Sequence, residues 1–296
     1  MAKTVINSDP FCDVRLTNIK HNDRSTDKFM VELQRPDTEE FEEIPGVGTV
    51  HTADYQLVTN RQVFDMANQV LDDTGMEFKP ITTFGGSHAQ PISWNGKRFS
   101  SKWFVEDAAI DVPGGSKMML GVEARNSYDG SCKVGLAFFA MHMVCSNQFY
   151  SQNMMGQPFV FPHVTHGGTL EEDISEALQQ IRTKAANFGR LQPAIELLQN
   201  THMDGFQDFL TLRHGMGATT GLEFRDKAVL DELTGTGISH TLDLDEQPAY
   251  ADPTSLWAIA NAYTAVTTHA VGGMRGADHS SRAVDYLLNR AKELAA

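Results

Sequence analysis

Cysteine is scarce in this chain, with three among 296 residues, at Cys12, Cys132 and Cys145. An odd number at wide spacing provides no disulfide framework and suits a reducing compartment, which excludes a disulfide-stapled secreted domain. Long hydrophobic runs are missing as well. The first residues contain no apolar signal core, and the longest apolar run, within 134–144, is too short to cross a bilayer as a helix. We therefore expect a protein of the cytoplasm with no membrane partner.

Positive charge is in deficit over the whole chain. Lysine and arginine number 24 against 38 aspartates and glutamates, which gives a formal net charge of −14 and argues against a general polyanion binder. Residues 79–133 are the exception, because this segment contains seven basic and five acidic residues. Positive surface is expected in this segment, unless these side chains simply occupy the solvated face of a sheet.

Motifs that bind nucleotides or carry catalysis are absent from the sequence. There is no phosphate loop of the GxxxxGK[ST] type, no GxGxxG, no HExxH and no GxSxG. We therefore expect no covalent catalysis and no cofactor. One alternative is left open, since His142, His163 and His166 would suit a metal-dependent nuclease or hydrolase if they converged in space.

Turn signals divide the middle of the chain into strands. Asn95-Gly96, Pro113-Gly114-Gly115 and Asp129-Gly130 are typical of tight turns and together predict a four-stranded antiparallel meander over about residues 88–144. The last strand of this meander is apolar on both faces, so other elements must cover it.

Helical periodicity flanks the meander on both sides. It predicts one helix before it, with Asn60 as the cap and Gly75 as the stop, and several helices after residue 169 that cover the sheet. The predicted class is α+β. The predicted regions are an acidic, partly strand extension (1–54), a helix plus antiparallel meander core (55–168) and a helical region that packs on this core (169–296).

The first hairpin of the meander has one apolar and one polar face. If Trp94 pairs with Lys97 across the turn, Phe99 and Trp103 lie on the apolar face, and the basic side chains between them point the other way. Cations beside an aromatic side chain are typical of a groove that binds single-stranded nucleic acid. More often, however, such aromatic residues simply form the core-facing side of a sheet. The candidate nucleic-acid-binding residues are Arg98, Lys102, Lys117, Arg125, Lys133, Phe99 and Trp103.

Several short motifs recur in one order along the chain. They are "YQLVTNRQVF" (55–64), "RNSYDGS" (125–131), "MVCSNQ" (143–148), the histidines at 163 and 166, and "SLWAIANAYTAVTTH" (255–269). In this order they resemble the phage and plasmid-like family catalogued as domain of unknown function 932, from about Tyr55 onward. The resemblance implies mobile genetic elements and a bacterial cytoplasm, and it implies no particular biochemical activity.

The predicted layout is also the general layout of phage single-strand annealing proteins. Our leading hypothesis is a homo-oligomer that lays single-stranded DNA along the basic hairpins and assists recombination or replication. Charge reversal at Arg98 and Lys102 is then expected to weaken binding and leave the fold intact. The alternative is an acidic phage protein that binds a host or phage protein through the acidic run at 37–43 and competes with DNA.

Overall fold

The computed structural model describes residues 9–22, 24–36, 38–43, 51–52, 57–81, 92–112, 116–142, 147–155, 159–160, 170–204, 223–237, 252–271 and 273–296. The strands are β1 (Val14–His21), β2 (Arg24–Gln34), β3 (Phe41–Glu43), β4 (His51–Thr52), β5 (Phe78–Pro80), β6 (Ile92–Trp94), β7 (Arg98–Val112), β8 (Ser116–Ser127), β9 (Gly135–His142), β10 (Gln148–Phe149) and β11 (Phe159–Val160). The helices are α1 (Asn60–Asp73), α2 (Gln152–Met155), α3 (Leu170–Asn187), α4 (Gln192–Asn200), α5 (Glu223–Leu233), α6 (Leu256–Ala265) and α7 (Gly273–Ala295). A 3₁₀ turn (Phe188–Leu191) precedes α4, and a π-helical segment (Val266–Val271) follows α6.

The N-cap of helix α1 lies one residue before the predicted one. Thr59 is the N-cap and forms a capping box with Gln62, because each side chain accepts a hydrogen bond from the backbone of the other. The buried Asn60 instead connects α1 to its neighbours: its amide donates to the carbonyl of Pro10 at 2.7 Å and its oxygen accepts from Asn126 at 2.9 Å. The predicted cap is therefore wrong, and Asn60 has a tertiary role.

The predicted α+β class is confirmed, and the predicted meander is part of a larger sheet. Strands β6, β7, β8 and β9 are successive antiparallel neighbours, as the turns predict. Strand β5 also pairs with β7, and β10 and β11 pair with β9, which makes a seven-stranded sheet. The four-stranded description is too small because the added strands have only two or three residues, too few to show an alternating pattern.

The turn of the first hairpin is longer than predicted. Trp94 pairs with Phe99, not with Lys97, so the connection contains four residues. The Asn95 side chain accepts the backbone N–H of Lys97 at 3.1 Å, and Gly96 has a φ of +83°. Because directly paired residues lie on the same face, this shift by two residues leaves Trp94 and Phe99 on one face as predicted.

The seven-stranded sheet is covered on both faces. All eight residues of β9 are buried, as its apolar sequence requires. One face packs on α1, α3, α4 and the 3₁₀ turn through the main core. The other face has a smaller core with Phe104, Phe139 and Tyr150, and it includes Ala277 of α7. On this face the ring of Phe139 lies directly over Gly121, where a Cβ atom would come within 2.3 Å of the ring.

The amino-terminal residues form a second antiparallel sheet of four strands. Its order is β1-β2-β3, with β4 also paired to β2. Val31 and Leu33 of β2 pack with Tyr128, at the end of β8, in a small separate core. The Tyr128 hydroxyl also accepts the backbone N–H of Asn60 at 3.0 Å, which ties this region to the start of α1. Within the described part of the chain, no helix has both the length and the hydrophobicity needed to cross a membrane.

Candidate functional site

The two aromatic candidates lie in the main core. Phe99 is 0 % exposed and Trp103 is 5 % exposed. Their rings pack against Phe11 and Phe64, with centroid separations of 5.7 Å and 5.8 Å. The predicted face is correct, but α1 and the segment around Phe11 cover it. In this structure neither ring is at a surface where a base could stack.

Two of the cationic candidates, Lys102 (buried) and Arg125 (partly buried), lie on the opposite face of the sheet. Lys102 lies directly across from Glu123 in the β7–β8 register, and Arg125 follows two residues later on the same face. The Lys102 ammonium is 3.5 Å from Oε1 of Glu123, and Nε of Arg125 donates to Oε2 at 2.7 Å. The Tyr150 hydroxyl also donates to Oε2, at 2.9 Å. Gln148 completes the set by accepting a hydrogen bond from Lys102 at 2.7 Å. We call these five residues the buried charge network.

The electrostatics of the buried charge network keep Glu123 ionised. Burial raises the pKa of Glu123, but Arg125 and Lys102 outweigh this effect and lower the pKa to about 2. Burial lowers the pKa of Lys102, and the adjacent carboxylate opposes that shift. Burial also raises the pKa of Tyr150 well above its usual value, so the phenol stays neutral and donates. The two cations are therefore used inside the protein, where both pair with one buried carboxylate.

The remaining candidates lie far apart; Lys117 and Lys133 are exposed, and Arg98 is half-buried. Arg98 is at one end of β7, where its Nε is 3.6 Å from the Asp129 carboxylate. Lys117 pairs with Asp111 at the other end of the β7–β8 hairpin. Strand β8 runs ten residues from Lys117 to Ser127, the partner of Arg98, so at a rise of about 3.3 Å per residue the two ends are about 33 Å apart. Lys133 is exposed in the connection after β8. The structure therefore does not bring the predicted cations together in one groove, and their role in binding stays a prediction.

Another group of cations surrounds a cavity in the helical half of the chain. The cavity has a volume of about 470 Å³ and lies between α2, α3, the 3₁₀ turn, α4 and α7. Its cations are Lys184 from α3, Arg190 from the 3₁₀ turn and Lys292 from α7. No carboxylate among the described residues lines it. The apolar wall is formed mainly by Met154, Met155, Phe188, Leu191, Leu197 and Leu288. We call this the basic cavity.

The three cations differ in how they are held. The Lys184 ammonium donates to the carbonyl of Met155 at the end of α2 and lies 5.6 Å from the centroid of the Phe138 ring. Burial lowers the pKa of Lys184. Arg190 and Lys292 are exposed, and neither has an ion pair or a side-chain hydrogen bond with any described residue. Two cations are thus available to an anion, and a third is already positioned.

Sequence reasoning missed the basic cavity because its cations are dispersed. Lys184 and Lys292 are more than one hundred residues apart, within a region (169–296) that has 18 acidic and 10 basic residues. Counting charge by segment therefore conceals them. The one local signal is that Lys292 follows Leu288 by four residues and so lies on the same side of α7.

The alternative metal site finds no support among the described residues. His142 is buried at the end of β9, and burial lowers its pKa to about 4. His163 and His166 lie outside the described residues. Within the described ranges, no three histidine, cysteine, aspartate or glutamate side chains are grouped closely enough to hold a metal ion.

The acidic run of the alternative hypothesis is partly neutralised within the amino-terminal sheet. Arg35 lies 2.9 Å from the carboxylate of Glu42 and 3.8 Å from that of Glu40. Glu39 and Glu43 are exposed. This pairing reduces the negative charge that the run at 37–43 offers to a basic partner, although exposed pairs of this kind are weak.

Comparison with known proteins places the chain in a family. The family model described as "Domain of unknown function (DUF932)" matches residues 48–291. No curated protein and no solved structure matches the chain. The matched span contains the seven-stranded sheet, the buried charge network and the basic cavity apart from Lys292. The chain therefore belongs to the family of domain of unknown function 932.

Proposed function

We propose that the protein binds single-stranded DNA at the basic cavity and assists phage recombination or replication without covalent catalysis. The supporting observation is that three cations surround one cavity that no described carboxylate lines, in a chain whose net charge is −14. In such a chain this cavity is a local exception that attracts phosphate.

The lining of the basic cavity suits both parts of a nucleotide. The guanidinium of Arg190 and the ammonium of Lys292 provide donors for phosphate oxygens. The partly buried side chains of Met154 and Leu197 in the apolar wall suit the flat, apolar face of a base. A volume of about 470 Å³ is within the range of small-molecule pockets. It admits a flexible single strand more readily than a duplex, and the acidic remainder of the surface disfavours duplex binding.

Fluorescence anisotropy tests this proposal. An oligonucleotide with an internal fluorophore is titrated with protein as a single strand and as a duplex. The variants are Lys184→Gln, Arg190→Gln and Lys292→Gln in the basic cavity. The matched controls are Lys117→Gln and Lys133→Gln, exposed lysines near the ends of the β7–β8 hairpin.

The expected result is binding that prefers the single strand and weakens in the cavity variants, with the controls unchanged. Weaker binding in the controls, with the cavity variants unchanged, would instead assign binding to the sheet surface. Absence of binding at micromolar protein would refute the proposed function.

A further inference from the structure

We infer that the basic cavity takes one nucleotide that carries a phosphomonoester, so that the protein recognises the phosphorylated end of a strand in preference to its interior. This inference rests on the proposed function and adds which part of the strand is recognised. Three features of the basic cavity support the recognition of a phosphorylated end: the grouping of its cations, their number relative to carboxylates, and the contacts that hold Lys184.

The grouping of the cations fits one nucleotide. A site that follows the interior of a strand is a groove in which cations recur along several nucleotides. Here Lys184, Arg190 and Lys292 line one cavity of about 470 Å³. The cations Arg98 and Lys117 of the sheet do not extend this cavity into a longer groove, because they lie at opposite ends of the β7–β8 hairpin.

The number of cations fits a terminal phosphate. An internal phosphodiester carries one negative charge, whereas a phosphomonoester carries about −1.5 to −2 at pH 7 and offers three strong acceptor oxygens. The carboxylate of Asp285 contacts the start of α2, and it is already used. It accepts the backbone N–H groups of Gln152 and Asn153, each at 3.1 Å, and also the hydroxyl of Ser151. It does not line the cavity, so it does not balance the three cations.

Lys184 is held in the wall of the cavity by its own contacts. An ammonium has three donors, and the carbonyl of Met155 takes one of them, which leaves two for phosphate oxygens. The Phe138 ring beside it restricts the side chain further. A cation fixed in this way loses little conformational freedom on binding. The amide side chains of Asn153 and Asn187, also in the lining, can bond to the edges of a base.

The test uses one oligonucleotide sequence with an internal fluorophore and different ends. Its forms carry a 5′-phosphate, a 3′-phosphate or hydroxyl groups at both ends, and thymidine monophosphate serves as an unlabelled competitor. One phosphorylated form is expected to bind about tenfold tighter than the hydroxyl form, the effect of one further charge-assisted hydrogen bond. This preference is expected to disappear in Arg190→Gln and Lys292→Gln and to persist in Lys133→Gln.

The outcomes separate this inference from the proposed function. If all three forms bind equally, the protein binds single strands but the inference of end recognition is wrong. If no form binds, the proposed function itself fails. If thymidine monophosphate competes at the affinity of the phosphorylated strand, the phosphomonoester is confirmed as the ligand group. In that case a free nucleotide, not a strand end, is its source.

Discussion

The dependence of DNA affinity on salt provides a quantitative test of the basic cavity. Each cation that contacts a phosphate of a single strand contributes about −0.7 to the slope of log K against log salt concentration. A phosphorylated terminal nucleotide carries a phosphomonoester of about −1.5 to −2 and a phosphodiester of about −1, so Lys184, Arg190 and Lys292 meet about three phosphate charges, which predicts a slope of about −2. A rise from about 50 to about 200 mM salt then weakens binding about 18-fold.

Removing one cation changes this slope by a known amount. In Lys292→Gln the slope becomes less steep, about −1.4, so the same rise in salt weakens binding only about sevenfold. Lys292 is exposed and has no ion pair with a described residue, so the substitution leaves the fold intact. Its urea unfolding midpoint checks this directly. Arg190→Gln is expected to give the same change in slope.

The assay is anisotropy of the single strand at several salt concentrations between these limits. Lys133→Gln and Lys117→Gln are the matched controls, because each removes one exposed lysine outside the basic cavity. Slopes that stay unchanged in the cavity variants would refute the reasoning, as would a loss of slope in the two controls. The second result would restore the exposed cations of the sheet as the binding residues.

The other predictions concern stability. Glu123→Ala leaves two cations of the buried charge network without their carboxylate and is expected to lower the free energy of unfolding in urea by about 3–5 kcal/mol. A loss smaller than that of the exposed control Glu39→Ala would contradict this role of the network. Gly121→Ala forces a Cβ atom to within 2.3 Å of the Phe139 ring and is expected to lower the free energy of unfolding by about 1–3 kcal/mol. The double variant Gly121→Ala, Phe139→Leu is expected to recover part of this loss, because it removes the ring. Burial lowers the pKa of His142 to about 4 from its ordinary value of 6.5, so the unfolded chain takes up this proton first as pH falls. Stability is then expected to fall by about 3 kcal/mol as pH drops from 6.5 to 4, a loss that His142→Gln reduces.

The elements that the sequence predicts well are those with a clear period or a strong turn signal. Helix α1 and the helices after residue 169 form where the periodicity predicts them, and the turns at Asn95-Gly96 and Asp129-Gly130 connect successive antiparallel strands. The register of the first hairpin differs because an Asn side chain can close either a two-residue or a four-residue connection. Strands as short as β10 have no local pattern at all, so only their partners in the sheet define them.

The candidate site shows what alternation along a strand does and does not predict. It places Lys102 and Phe99 on opposite faces, and the structure agrees. It does not say what covers either face, because Tyr150 and α7 reach the sheet from distant parts of the chain. This also corrects the expectation for charge reversal at Lys102. A glutamate at this position would set a second buried carboxylate beside Glu123, so Lys102→Glu is expected to unfold the protein rather than report on DNA binding.

The two groups of cations also differ in their relation to stability, and this difference separates structural from binding residues. In the buried charge network opposite charges are paired, so removal of one partner destabilises the fold. In the basic cavity like charges share one lining without a described carboxylate, so they repel each other in the free protein. Neutralising Arg190 or Lys292 therefore leaves the free protein as stable as before or more stable while it weakens binding. A bound phosphate removes the repulsion and raises the unfolding midpoint by mass action, and the variants lose that rise. A substitution that weakens binding without loss of stability thus identifies a ligand-binding residue, and a substitution that lowers both identifies a structural residue.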